Sequence, residues 1–428
     1  MRRLMINFLL AAAASVVGPM VSIGAQATLP DCDPDNGGIT LPDGFCALVV
    51  ADNLGAARHV EVAPNGDLYV AIRNRENAPG GIIALRDTDG DGRADVQERF
   101  GEDGGTSIGL HNGYLYFGRD TAIVRYRMTP GSLVPDRPAE VIVTLPDQQG
   151  HRAKGFAFDG DGNMYVNIGA PSNACQPGGR VLEEPGEDPC ALLENHGGVW
   201  KFDENMAGQT PSSGTRFATG MRQNFAIAWH PTAGGLYLVQ HGRDQLDSLW
   251  PSKFDVEQNA ELPSEEFLKV EEDSNFGWPY CYHDWQQGKR LLMPEYGGDG
   301  QMVGRCAQYP PPLIGFPGHW APNDLHFYTG DLFPARYHGG AFVVFHGSWN
   351  RAPLAQGGFK VVFVPFTGGD PTTGEYEIFA DGFAGKDPLM NRDEATYRPS
   401  GVDQGPDGSL YLSNDKTGRI WRVIYRGE

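Results

Sequence analysis

A short pattern recurs six times along the chain: a turn bearing glycine, then alternating apolar and aromatic residues. It reads Asn65-Gly66-Asp67-Leu68-Tyr69-Val70, then Asn112-Gly113-Tyr114-Leu115-Tyr116-Phe117 and Asp161-Gly162-Asn163-Met164-Tyr165-Val166. It returns at 234–239, 339–344 and 407–412. A second apolar stretch precedes most copies, at 59–63, 155–158 and 225–229. Glycine supplies the positive φ of a tight turn and β-formers flank it, so each copy predicts strand, turn, strand. The turn glycines lie 47, 49, 73, 105 and 68 residues apart. The shorter intervals suit a four-stranded propeller blade and the longer ones imply insertions, chiefly between Gly235 and Gly340. The expectation is an all-β, six-bladed β-propeller with long loop insertions. Five or seven blades, or a large β-sandwich, are the competing arrangements. The best helical window is the short piece 264–270.

Residues 1–27 carry Arg2 and Arg3, an apolar run and Ala25-Gln26-Ala27, the pattern of a cleaved signal peptide. The remainder, 28–428, reads as one domain, periplasmic or secreted, with no other stretch able to span a bilayer. Six cysteines in an exported chain predict disulfides. Sequential pairing gives Cys32–Cys46, Cys175–Cys190 and Cys281–Cys306, each closing a short loop. The 34 Lys and Arg against 54 Asp and Glu give a charge of −20. That balance argues against broad contact with nucleic acid or anionic lipid.

Asp87-Thr88-Asp89-Gly90-Asp91-Gly92-Arg93-Ala94-Asp95-Val96-Gln97-Glu98 fits the D-x-D-x-D-G-x5-E calcium loop. The expected ligands are Asp87, Asp89, Asp91, Asp95 and Glu98, with the carbonyl of Arg93. Strand-like flanks make it a stabilising loop rather than a regulatory helix pair. Gly105-Thr106-Ser107-Ile108-Gly109 matches G-x-S-x-G but runs into a hairpin, so it is no nucleophile elbow. The remaining chemistry lies just before blade strands, at Arg58, His151, Arg222, 346–351 and Arg398. Equivalent strand entries gather around one mouth of a propeller, so these cations can converge on one pocket.

Gly150-His151-Arg152 with Phe156, Asp159-Gly160, Tyr165-Val166 and Gly169 resembles the catalytic-histidine strand of soluble pyrroloquinoline-quinone (PQQ)-dependent sugar dehydrogenases. Gly220-Met221-Arg222-Gln223-Asn224, Gln240-His241-Gly242-Arg243-Asp244 and Asn275-Phe276-Gly277-Trp278-Pro279 resemble later segments of that family, nearest its sorbosone dehydrogenase branch. The resemblance implies a six-bladed propeller that uses PQQ and Ca²⁺ to oxidise the anomeric hydroxyl of an aldose or a related sugar or aldehyde. It assigns His151 as general base and Arg222 to the quinone end. Arg58, Arg351 and Arg398 would clamp the cofactor acids, with Gln223 beside them. Asn350 or Arg351 falls where the family's glucose-oxidising branch carries a lysine. The carbonyls of Gly242 and Arg243 would hold a calcium ion, and a soluble electron acceptor such as a cytochrome would complete the cycle. That branch has an aspartate where this chain has Gly150. Two other readings compete. A calcium-dependent propeller lactonase or other hydrolase would need carboxylates converging on an axial metal. A non-enzymatic binding propeller would need no converging arginines.

Overall fold

The computed structural model describes residues 29–372 and 374–427; the segment 1–27, expected to be a signal peptide, lies outside them. Among the described residues six sheets form the blades of a β-propeller. The first blade holds Ala57–Val62, Leu68–Ile72, Gly81–Arg86 and Val96–Phe100, each antiparallel to the next. The second runs from Gly105–His111 to Glu140–Thr144. The third runs from Phe156–Phe158 to Thr215–Thr219, with Ser274–Asn275 added in parallel. The fourth and fifth begin at Ala226–Trp229 and Pro322–Phe327. The sixth combines Pro399–Gln404, Leu410–Asn414 and Ile420–Tyr425 with Phe45–Ala51 from the start of the chain. That strand pairs antiparallel with Ile420–Tyr425 and closes the ring.

The repeats fall where expected. Leu68–Ile72, Tyr114–Arg119, Asn163–Ile168, Leu236–Gln240, Ala341–Phe345 and Leu410–Asn414 are the second strands of their blades. Gly66 and Gly113 hold φ of 90° and 79°, a conformation glycine reaches without a Cβ penalty. The first strands of neighbouring blades pack side by side around the axis. Alternate residues of each sheet interleave with the next. Between the fifth and sixth blades Phe333, Tyr337, Phe342, Phe363, Phe379 and Trp421 form one aromatic core. Truncating one of these rings to alanine removes about 3–5 kcal/mol.

The segment 264–270 is a correction. Glu265–Val270 is a strand paired with Leu236–Gln240, and its side chains are almost all buried between blades. Burial on both faces overrides helical propensity there. The helices of the fourth-blade insertion lie earlier, at Leu246–Leu249 and Val256–Glu261. The same insertion carries the hairpin Cys281–Asp284 with Lys289–Leu292. Gly105–His111 is a blade strand, so Ser107 has no elbow around it. The three disulfides pair Cys32 with Cys46, Cys175 with Cys190 and Cys281 with Cys306. No helix among the described residues is long and apolar enough to cross a membrane.

Candidate active site

The inner-strand entries of the blades open into one cavity of about 530 Å³. Arg58 is the second residue of Ala57–Val62, and Arg398 immediately precedes Pro399–Gln404. His151 and Arg222 stand on the loops entering the third and fourth blades. All four line this cavity, with Gln223, Gly242 and Asn350.

The loop turns at Gly150 and His151, with φ of 77° and 45°. A carbonyl can only accept, so His151 donates its Nδ1 proton to the oxygen of Ala170. Nε2 is thereby left as the proton-accepting nitrogen. Burial, and then the charge of Arg222, lower the pKa of His151 to about 3, which keeps the ring neutral.

Arg222 donates Nη1 to the Gly242 carbonyl (2.7 Å) and Nη2 to Asp244 Oδ2 (2.8 Å). Burial works to raise the Asp244 carboxyl, but Arg222, His319 and Arg180 outweigh it and hold the group well below the carboxylate range. Asn350 reaches Asp244 Oδ1 through its amide nitrogen, at 3.2 Å. Arg58 pairs with Asp415 at 3.1 Å, and His346 bonds the other oxygen of that carboxylate at 2.9 Å. Among the described residues Arg398 donates only to the carbonyls of His346 and Gly347. Burial lowers its pKa to about 10. Gln223 donates to the Ala153 carbonyl at 3.0 Å and accepts from Asn167, bracing the His151 loop.

Among the described residues several buried polar atoms here have no partner: Nε of Arg58, Nε of Arg222, Nε2 of His241 and Oδ1 of Asn350. A buried guanidinium with an unspent N–H, in a site with few acids, is built for an anion. Arg73, Arg152 and Arg392 also line the cavity. The acids there are Asp120, Asp244 and Glu265. Burial pushes Glu265 up to about 8, so it is protonated at neutral pH and adds no charge. Arg73, Arg392 and Glu265 lie at blade-strand ends or in loops that no motif marks, and sequence reasoning did not single them out for this cavity. Asp244 was visible only inside the quoted segment 240–244.

Arg351 does not face the cavity, which corrects the expectation drawn for it. Its guanidinium bonds the Ala260 and Gly318 carbonyls and Glu261, so its charge is already satisfied inside the wall. The Gly242 carbonyl, one of the two expected calcium ligands, is not open to a cation. The Gly242 oxygen is bonded by the Arg222 guanidinium, and the Arg243 side chain is buried against Glu295 at 2.6 Å. A calcium ion at Gly242 would meet the Arg222 charge at the same oxygen.

The acidic loop stands apart, between Gly81–Arg86 and Val96–Phe100 of the first blade. Carboxylate oxygens of Asp87, Asp89 and Asp91 all lie within 4.8 Å of one another. Asp95 and Glu98 do not join that group. Asp95 accepts from the backbone and hydroxyl of Thr88, and Glu98 sits exposed in the ladder opposite Ala84. The side chain of Arg93 bonds the Val49 carbonyl and Asp33.

A family model described as TrAA12-like matches residues 39–426. A pyrroloquinoline quinone-dependent pyranose dehydrogenase of Coprinopsis cinerea is 27% identical over 252 residues, covering 50% of this chain and 33% of that protein. A pyrroloquinoline quinone-dependent sugar dehydrogenase of Hypocrea jecorina is 24% identical over 260 residues, covering 55% of this chain and 56% of the other. The chain spans about a third to just over half of the length of the curated relatives it matches. The calcium structure of a Trichoderma reesei carbohydrate-active enzyme of family AA12 superposes with a TM-score of 0.74 at 20% identity. It covers 94% of this chain and 99% of that one. At that identity the likeness speaks for the fold.

Proposed function

This chain belongs to the TrAA12-like family, and from that premise we propose that it is a PQQ-dependent dehydrogenase oxidising the anomeric hydroxyl of an aldose or related sugar. The observation that carries the reading is that Arg58, Arg222 and Arg398 line one cavity beside a neutral histidine, with a buried, unpartnered Nε on Arg58 and on Arg222 among the described residues. PQQ, a tricarboxylate, would be held by Arg58, Arg222 and Arg398, with Gln223 and Asn350 at its side. When bound it supplies an electrophilic quinone carbon that accepts hydride.

The protein's own part is binding and proton handling. His151 would take the hydroxyl proton of the sugar on Nε2, while its Nδ1 stays committed to Ala170. Arg222 would spend its free Nε–H on the anion in the cavity, since Asp244 already holds Nη2. Calcium fits best at Asp87, Asp89 and Asp91, where it would stabilise the first blade. For a second ion to take the Gly242 carbonyl, Arg222 would have to turn from it toward a cofactor acid. A lactonase reading is less favoured. The axial acids Glu61, Asp324 and Asp403 line a separate cavity and form no three-residue ligand group among the described residues.

Export through the 1–27 segment suits the three disulfides. The ring closure by Phe45–Ala51 supports treating 28–428 as one unit. The electron acceptor would be a small soluble carrier or a cytochrome. The test is to add PQQ and Ca²⁺ to the purified protein and follow dye reduction over a panel of aldoses. Binding of PQQ with reduction by at least one sugar is expected. No PQQ binding together with no reduction would overturn the reading.

A further inference from the structure

Gln148 lies behind the His151 loop, only 6% exposed, and takes no part in the reading given so far. Its amide nitrogen is within hydrogen-bond distance of three carbonyls: Gly169 at 2.9 Å, and Gly150 and His151 at 3.1 Å each. Its amide oxygen faces Nζ of Lys154 at 3.4 Å. Lys154 is fully buried and forms no ion pair among the described residues. Carbonyls surround one end of the amide and an ammonium faces the other. A flipped amide would set oxygen against three oxygens and NH₂ against NH₃⁺, so the orientation is fixed.

That orientation matters because of what the three carbonyls belong to. Gly150 and His151 are the two positive-φ residues of the loop, and such a bend in a non-glycine residue persists only where its surroundings impose it. Gly169 precedes Ala170, whose oxygen receives the Nδ1 proton of His151. Gln148 thus ties the loop carrying the imidazole to the segment that fixes its tautomer. Ala170 in turn donates its backbone N–H to the Arg222 carbonyl at 2.8 Å, which extends the brace to the arginine loop. There is no slack at Gly169: a Cβ there would stand 1.9 Å from Gln223 Oε1 and 3.0 Å from the His151 oxygen.

We propose that Gln148, oriented by Lys154, is a positioning residue for the proton transfer. It keeps His151 Nδ1 on Ala170 and Nε2 toward the substrate. The inference rests on His151 being the base, so its test needs one readout that does not depend on turnover.

The decisive variant is Gln148→Met, which keeps the length and removes the amide. With ¹⁵N-histidine labelling, His151 assigned by its loss in His151→Ala, the apoprotein should show a single Nδ1–H tautomer. In Gln148→Met that signal should give way to a mixture of tautomers. In the PQQ-loaded enzyme kcat should fall about 10–100-fold, the cost of one misplaced hydrogen-bonding base. The sugar KM and the PQQ Kd should stay within about twofold. Lys154→Met, which frees only the amide oxygen, should give a smaller loss of the same kind and serves if Gln148→Met does not fold. An unchanged tautomer in a folded variant overturns the proposal, whatever happens to kcat. A changed tautomer in a protein that oxidises no sugar leaves the positioning role standing and removes the dehydrogenase reading instead.

Discussion

The inner strands that feed the arginine-lined cavity also line a smaller one of about 110 Å³ further along. Arg58 and Glu61 are three residues apart at the first blade, and Arg398 and Asp403 five apart at the sixth. Phe225 borders both spaces. Each cavity crowds like charges, yet they resolve it differently. Burial, and then the Asp403 charge, push Glu61 well above the usual carboxylate range, and burial does the same to Asp324. Carboxyls discharge by keeping a proton. An arginine keeps its charge at neutral pH, so a buried arginine cluster is offset only by anions: Asp415 offsets Arg58 and Asp244 offsets Arg222. The acid-lined space settles its charge by protonation, whereas the arginine-lined one keeps Arg398 with carbonyl partners only among the described residues.

That contrast can be broken or sharpened by experiment. The largest effect belongs to His151→Ala, which should lower kcat by about 10²–10⁴-fold while PQQ still binds, measured by steady-state kinetics and PQQ titration. Wild-type turnover would remove His151 as base. Next, Arg58→Ala and Arg398→Ala should each weaken PQQ binding by about 10–100-fold, the value of a charge-assisted hydrogen bond. Glu61→Gln, on the other side of the comparison, should change it less than about twofold, because Glu61 lines the separate, acid-lined space and burial already favours its protonated form. Equal effects at both ends would erase the distinction.

A smaller effect concerns pH. Glu265 titrates near 8 in the folded protein against 4.5 unfolded, so between those values the folded state holds the extra proton. Its contribution to stability is present below about 4.5 and is lost as pH rises through 8. His59, His151 and His241, near 3, and His346, near 4, act oppositely. Their contribution is present above about 6.5 and fades as pH falls toward 3. Thermal melts of Glu265→Gln should lose a few degrees less than wild type between pH 6 and 9. Parallel curves would refute the assignment. The smallest effect is metal removal. EGTA or Asp89→Ala should lower the melting temperature by a few degrees and leave kcat within about twofold; a large loss of rate would place the ion at the reaction instead.

The fold was legible because its signal is local. Each Gly turn with its flanking β-formers specifies a hairpin within about ten residues, as at 65–70 and 407–412, and the ring follows from repetition. The cations were legible to the extent that they sit at equivalent strand entries. Arg58, Arg222 and Arg398 converge for that reason, as does His151. Arg351 shows the limit. Trp349 and Asn350 line the cavity, but the next residue turns into the wall to meet Glu261, from the helix Val256–Glu261 in a distant insertion. No local pattern announces that partner. Gln148 is a mixed case: its contacts at 150, 151 and 154 are local, but the carbonyl of Gly169 that ties it to the next strand is not announced by any motif.

Ring closure has a consequence for when the site can exist. Phe45–Ala51 waits for Ile420–Tyr425, and Arg58 waits for Asp415, which lies between the last two strands of the sixth blade. A chain still being made therefore lacks the finished pocket, however many blades have formed. Any cofactor held by Arg58 would bind only after the last strand has arrived.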